Sequence, residues 1–119
     1  MNLDATNLQS YVVIGAILAF IVWKFGQFFL VRRKLPGLIS SGAQIVDVRE
    51  KAEFSSGANP ESKNIPLGQI KGRLQELDKT RPVILCCASG TRSGMAKSVL
   101  IKNGFKEVYN AGPWKNTLI

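Results

Sequence analysis

The sequence predicts a small α/β domain, with a mainly parallel central sheet and helices on both faces, preceded by one transmembrane helix. Three observations predict it. Residues 11–31 form a 21-residue, largely apolar run closed by Arg32-Arg33-Lys34. Beyond it, short apolar segments alternate with stretches of helical spacing, the pattern of strand–helix–strand units. One of those segments, Val83-Ile84-Leu85-Cys86, leads through Cys87-Ala88-Ser89-Gly90 directly into a helix. A strand–loop–helix junction of that kind belongs to parallel α/β architecture.

Taken in order, residues 1–10 are a short extramembrane N-terminus. As a helix, residues 11–31 reach about 31 Å, the hydrocarbon thickness of a bilayer. Lys24 and Gln27 interrupt the run on one face. Lys24 can snorkel to the headgroups beside Trp23, a residue favoured at that interface. Residues 32–34 are a basic stop. The positive-inside rule then puts the following domain, residues 35–119, in the cytoplasm. A cleaved signal peptide fits less well, because no Lys or Arg precedes the run and no clear A-x-A site follows it. A buried or interfacial amphipathic helix is the remaining alternative.

Within the domain, residues 36–41 suit a short helix ending at Gly42. Residues 44–48 read as a buried strand and 50–54 as a helical turn. The Ser/Gly/Asn/Pro-rich residues 55–62 form a loop. Residues 65–67 are a brief extended piece. Ile70, Leu74 and Leu77 give residues 69–77 helical spacing. A strand at 83–86, a helix at 92–103 closed by Gly104, and an extended piece at 107–109 complete the series. About 85 residues is small for this class, so the core is modest.

Composition excludes several chemistries. The chain has no histidine, which removes imidazole catalysis, His-based triads and His-rich metal sites. Its two cysteines are adjacent, so they staple no loop, and an unstapled small domain suits a reducing compartment. No metal or cofactor is expected. The net charge is +8, and from Lys34 onward 13 basic residues face 7 acidic ones. These charges are dispersed, as on a solvated face, and no nucleic-acid motif accompanies them.

The segment Cys87-Ala88-Ser89-Gly90-Thr91-Arg92 carries the chemistry. A cysteine at a strand end, before a helix N-terminus, meets N–H groups and a helix dipole that favour an anion and a thiolate. Arg92 adds a fixed charge with a planar fork of donors. Whatever reaction occurs runs on thiolate, carboxylate, cations and backbone.

Several pieces, in this order, resemble a single rhodanese domain over residues 35–114. Ile45-Val46-Asp47-Val48-Arg49-Glu50 with Glu53-Phe54 is similar to the family's early strand and turn. Gly57, Pro60, Asn64, Ile65 and Pro66 keep the spacing of its G-H-I-P-G-A-x-N-I-P stretch. Cys87-x-Ser89-Gly90-x-Arg92-Ser93 resembles the active-site loop. Gly104-Phe105, then Val108-Tyr109-Asn110-Ala111-Gly112 and Trp114, resemble the closing segment. The chain departs from the pattern at Ala58, where the family has histidine, at Asn59 for isoleucine, and at Glu61-Ser62 for Gly-Ala. Its glycine pair near the end is Ala111-Gly112.

The resemblance implies a three-layer fold and a sulfurtransferase. A Cys87 persulfide would carry sulfur from thiosulfate, another small sulfur-donor anion or a persulfide to a thiol, a protein cysteine or a similar nucleophile. Ala88, Ser89, Gly90, Thr91 and Arg92 would bind the anion, while Asp47 and Arg49 would fix the loop beneath. Trp114 and Met95 read as packing residues. Two other functions compete. Counted from Cys86, the signature is Cys-x5-Arg, the pattern of cysteine-dependent phosphatases. That reading lacks the usual preceding histidine, since Leu85 stands there. A membrane-tethered binding module without turnover is the third.

Overall fold

The computed structural model describes residues 5–119; residues 1–4 of the expected N-terminal segment lie outside it. Helix α1 (Ala5–Ser40) runs for 36 residues, about 54 Å. It accounts for the elongated 60 × 31 × 28 Å envelope. No short helix begins at residue 36: Pro36 lies inside α1, and residues 36–40 are its last turn. Proline removes one intrahelical bond and crowds the carbonyl four residues back. The helix persists because its neighbours are buried. Leu35 is fully enclosed, and Val31, Leu38 and Ile39 are partly so. After Ser40 the chain turns through Gly42, whose N–H meets the Ile39 carbonyl at 3.2 Å, while the Ala43 N–H meets Leu38 at 3.0 Å. Upstream, the apolar residues of α1 from Leu8 to Leu30 stay exposed, and the helix is long and apolar enough to cross a membrane.

Four strands, β1 (Gln44–Asp47), β2 (Lys63–Asn64), β3 (Val83–Cys87) and β4 (Val108–Pro113), form one sheet in the order β2-β1-β3-β4, with every pairing parallel. Alternation along the strands makes two cores. Val46, Val83, Leu85 and Cys87 face one way, toward α3 (Leu67–Ile70) and α4 (Thr91–Lys102). Ile45, Ile84 and Cys86 face the other way, where Leu35 of α1 and Trp114 cover them. The end of the apolar helix is thus the third layer of the domain. The register of β3 against β4 shifts between Leu85 and Cys86.

Three local differences have physical reasons. The helical stretch expected at 69–77 is broken: α3 ends at Ile70, and residues Lys71–Glu76 form a 3-10 segment in which Arg73 leaves helical geometry. Gly68 and Gly72 weaken a continuous helix there. Strand β4 extends to Pro113 because its backbone pairs with Cys86 and Cys87 despite poor strand formers. Met95 is 56% exposed rather than core, because α4 buries Ser93, Ala96 and Leu100 instead. Helix α2 (Lys51–Ser55) supplies the turn after β1.

Candidate active site

The carboxyl ends of β1, β3 and β4 bring three loops together, the place where open α/β sheets bind ligands. At the centre is the loop from Cys87 into α4. Strand β3 continues through Cys87, so the thiol is only 1% exposed. Gly90 then takes φ +109°, a left-handed geometry that glycine tolerates. Its N–H donates to Cys87 Sγ at 2.9 Å. A Cβ at Gly90 would also stand 3.2 Å from Gly112 Cα, a tight contact that adds to the strain a side chain would meet at this φ. Ser93 Oγ lies 3.3 Å from the same sulfur.

These contacts set the thiol's acidity. Burial opposes ionisation of Cys87, but the Ser93 hydroxyl and the N–H groups of Ser93, Gly90 and Ser89 outweigh it, and the pKa falls below the ordinary thiol value. Cys86 is the opposite case. It points into the α1-facing core, where burial first and Asp47 second push it up to about 12. Of two adjacent cysteines, one is made more acidic than an ordinary thiol and the other less. Both are free thiols.

Arg92 does not reach the sulfur. Its guanidinium forms a two-point pair with Glu53, Nη1 to Oε1 at 2.6 Å and Nη2 to Oε2 at 2.9 Å. Glu53 is lowered to about 2, chiefly by that pairing, so the bridge stays charged at neutral pH. The side chains of Ala88, Ser89 and Thr91 are exposed at the rim. Asp47 and Arg49 form a buried brace to one side. Arg49 Nε bonds both Asp47 oxygens at 3.0 Å, and Nη2 donates to Asp47 Oδ2 at 2.7 Å and to the Gly57 carbonyl at 2.8 Å. The same guanidinium lies 5.0 Å from the Trp114 ring centroid. The brace joins β1, the loop after α2 and the C-terminal turn.

Three residues beyond the expected set shape the site: Glu53, Ser93 and Asn110. Asn110 ties β4 to the Cys87 loop. Its Oδ1 accepts from Ser93 Oγ at 2.6 Å and from Gly112 N–H at 2.9 Å, and its Nδ2 donates to the Gly90 carbonyl at 3.0 Å. Asn59, at a position where the sequence departs from the resembled pattern, is buried and donates to the Thr117 carbonyl and hydroxyl, each at 3.1 Å. Among the described residues no group of three or more acidic or Cys side chains is arranged to hold a metal ion.

Comparison with known proteins agrees with this fold. A family model described as a rhodanese-like domain matches residues 33–112. The chain is 34% identical over 110 residues to the uncharacterized protein YqhL of Bacillus subtilis, covering 87% of each. It is 33% identical over 73 residues to the thiosulfate sulfurtransferase GlpE of Pseudomonas syringae, covering 61% of this chain and 69% of that one. Among solved structures, a rhodanese from E. coli with anions superposes with a TM-score of 0.59 at 32% identity, over 63% of this chain and 91% of that one.

Proposed function

The chain belongs to the rhodanese-like family, and on that premise we propose that it is a sulfurtransferase whose carrier is Cys87. The Cys87 thiolate attacks the outer sulfur of thiosulfate, forming a new S–S bond as the old one breaks. Sulfite leaves with the bonding pair, and a Cys87 persulfide remains. A nucleophilic acceptor, cyanide or a thiolate, then takes the outer sulfur and restores the Cys87 thiolate. Neither step needs a histidine, since the thiol is already disposed to ionise.

The observation that carries this reading is the pair of contacts to Cys87 Sγ, from Gly90 N–H and Ser93, on a loop with the shorter Cys-x4-Arg spacing. The phosphatase alternative needs Cys86 as nucleophile, and a core-facing thiol held near 12 is unsuited to that. The near-complete burial of Cys87 favours a second reading, a membrane-tethered binding module without turnover. Mass spectrometry of the protein after thiosulfate exposure separates the two. A gain of one sulfur on Cys87, lost in Cys87→Ser and kept in Cys86→Ala, supports transfer. No gain with thiosulfate or an organic persulfide leaves the binding module.

The apolar helix supports a single-pass anchor with the catalytic domain in the cytoplasm, because the exposed Arg32, Arg33 and Lys34 lie on the domain's side of the span. Protease protection of the domain in sealed vesicles tests the orientation.

A further inference from the structure

Glycines surround one polar side chain at the end of β4. Asn110 lies beside Gly90 and Gly94, at the start of α4, and beside Gly112 on its own strand. A Cβ at Gly90 would come 3.9 Å from either terminal atom of the Asn110 amide, and one at Gly94 would come 3.4 Å from Nδ2. The amide has one orientation only. The Gly112 N–H can only donate, so the atom 2.9 Å from it is Oδ1. The Gly90 carbonyl can only accept, so the atom 3.0 Å from it is Nδ2.

That orientation decides where the Ser93 proton goes. Ser93 Oγ lies 2.6 Å from Asn110 Oδ1, which has no proton to give, so the hydroxyl must donate along this contact. With its one proton committed there, Ser93 can only accept from Cys87, 3.3 Å away. The resting contact therefore favours the thiol. Ionisation needs the hydroxyl to turn from Asn110 to the sulfur, a rotation about Cβ–Oγ, while the thiol proton leaves to solvent. The Gly90 carbonyl keeps its second donor, the Gly94 N–H at 3.0 Å, throughout. Among the described residues the charged groups around Cys87 are Arg92 with Glu53, Asp47 with Arg49, Glu50 and Lys97, and none of them hydrogen-bonds Asn110.

We propose that Asn110 is a positioning residue for the nucleophile: its Oδ1 holds the Ser93 proton while Cys87 Sγ is uncharged, as thiol or as persulfide, and yields it when the thiolate forms. One amide oxygen thus competes with the sulfur for one proton, and balances acidity against reactivity. A sulfur anion that is too well stabilised attacks more slowly, since thiolate nucleophilicity falls with thiol pKa. The persulfide half of the cycle rests on the sulfurtransferase reading of Cys87.

The test is Asn110→Leu in the full chain in detergent, a replacement of similar size with no acceptor, alone and combined with Ser93→Ala. Ultraviolet titration of the thiolate, referenced to Cys87→Ser, gives the acidity. Freed from Oδ1, the hydroxyl turns to the sulfur, and the thiolate-to-thiol ratio at fixed pH should rise roughly two- to tenfold. The single-turnover rate with thiosulfate on the high-pH plateau should fall by up to about threefold. Both changes should vanish in the Ser93→Ala background. If Asn110→Leu does not fold, Asn110→Ala is read in the same way. A thiolate ratio that stays level or falls, or a shift of equal size without Ser93, would mean that Asn110 only braces the loop, and overturns the proposal. A parent that gains no sulfur from thiosulfate or an organic persulfide overturns the sulfurtransferase reading instead, and the titration alone then decides the role of Asn110.

Discussion

Replacing Ser93 with alanine removes the one side-chain hydroxyl in contact with Cys87 Sγ. A serine hydroxyl has a single proton. In the thiol form that proton points to Asn110 Oδ1, 2.6 Å away, and the S–H points to Ser93 Oγ. In the thiolate form the proton must turn to the sulfur. Asn110 Oδ1 loses little by this, because Gly112 N–H still donates to it at 2.9 Å. A hydrogen bond to a charged group contributes about 1.5–3 kcal/mol. At about 1.4 kcal/mol per factor of ten, Ser93→Ala should lower the thiolate population at neutral pH roughly ten- to a hundredfold. The persulfide-forming rate at neutral pH should fall in parallel, and recover as pH is raised toward the ordinary thiol range. The assay is ultraviolet absorbance of the thiolate against pH, referenced to Cys87→Ser, alongside single-turnover persulfide formation. Unchanged acidity and a rate within about twofold of the parent would mean that the backbone N–H groups alone hold the anion, and the proton-switch argument would be wrong.

Three further outcomes are expected. Glu53→Gln frees Arg92 and removes a negative charge beside the loop, so the KM for thiosulfate should fall by less than about tenfold; a rise in KM, measured with kcat, would count against this. Leu35→Ala should cost about 2–5 kcal/mol in denaturant unfolding of the full chain in detergent, because Leu35 is fully buried between α1 and the sheet. The exposed neighbour change Arg33→Ala should stay within about 0.5 kcal/mol. Cys86, raised from 9.0 to about 12, contributes stability that is complete below its unfolded pKa and is lost as pH rises through the folded value. Unfolding of Cys86→Ala against pH should therefore show less alkaline destabilisation than the parent above pH 9.

Most of the domain was legible wherever a local rule governed it. The strands at 44–48 and 83–86 showed as apolar runs, and the helix before Gly104 through its spacing and its glycine stop. What stayed hidden depended on partners distant in sequence. Strand β4 continues through Asn110-Ala111-Gly112 because β3 offers it a ladder, which residue preferences do not reveal. The passage of α1 through Pro36 depends on the sheet beneath Leu35. In the site, the thiol's loop was visible as a motif, but Arg92 finds Glu53 across 39 positions. Ser93 and Asn110 stood inside recognisable segments. The signal that could have flagged them is a polar side chain on the inward face of a first helical turn, and a polar residue entering a glycine-rich strand end.

The absence of any break in α1 between Ala5 and Ser40 has a mechanical consequence. A tethered domain usually swings on a flexible linker, but here the lever and the domain wall are the same rod. In the proposed single-pass arrangement, a thinner or thicker bilayer would tilt the rod to match its apolar length. The domain would tilt with it, and the Cys87 loop would rise or sink against the membrane plane. Film thickness would thereby set how far the proposed sulfur donor must travel to reach the thiol.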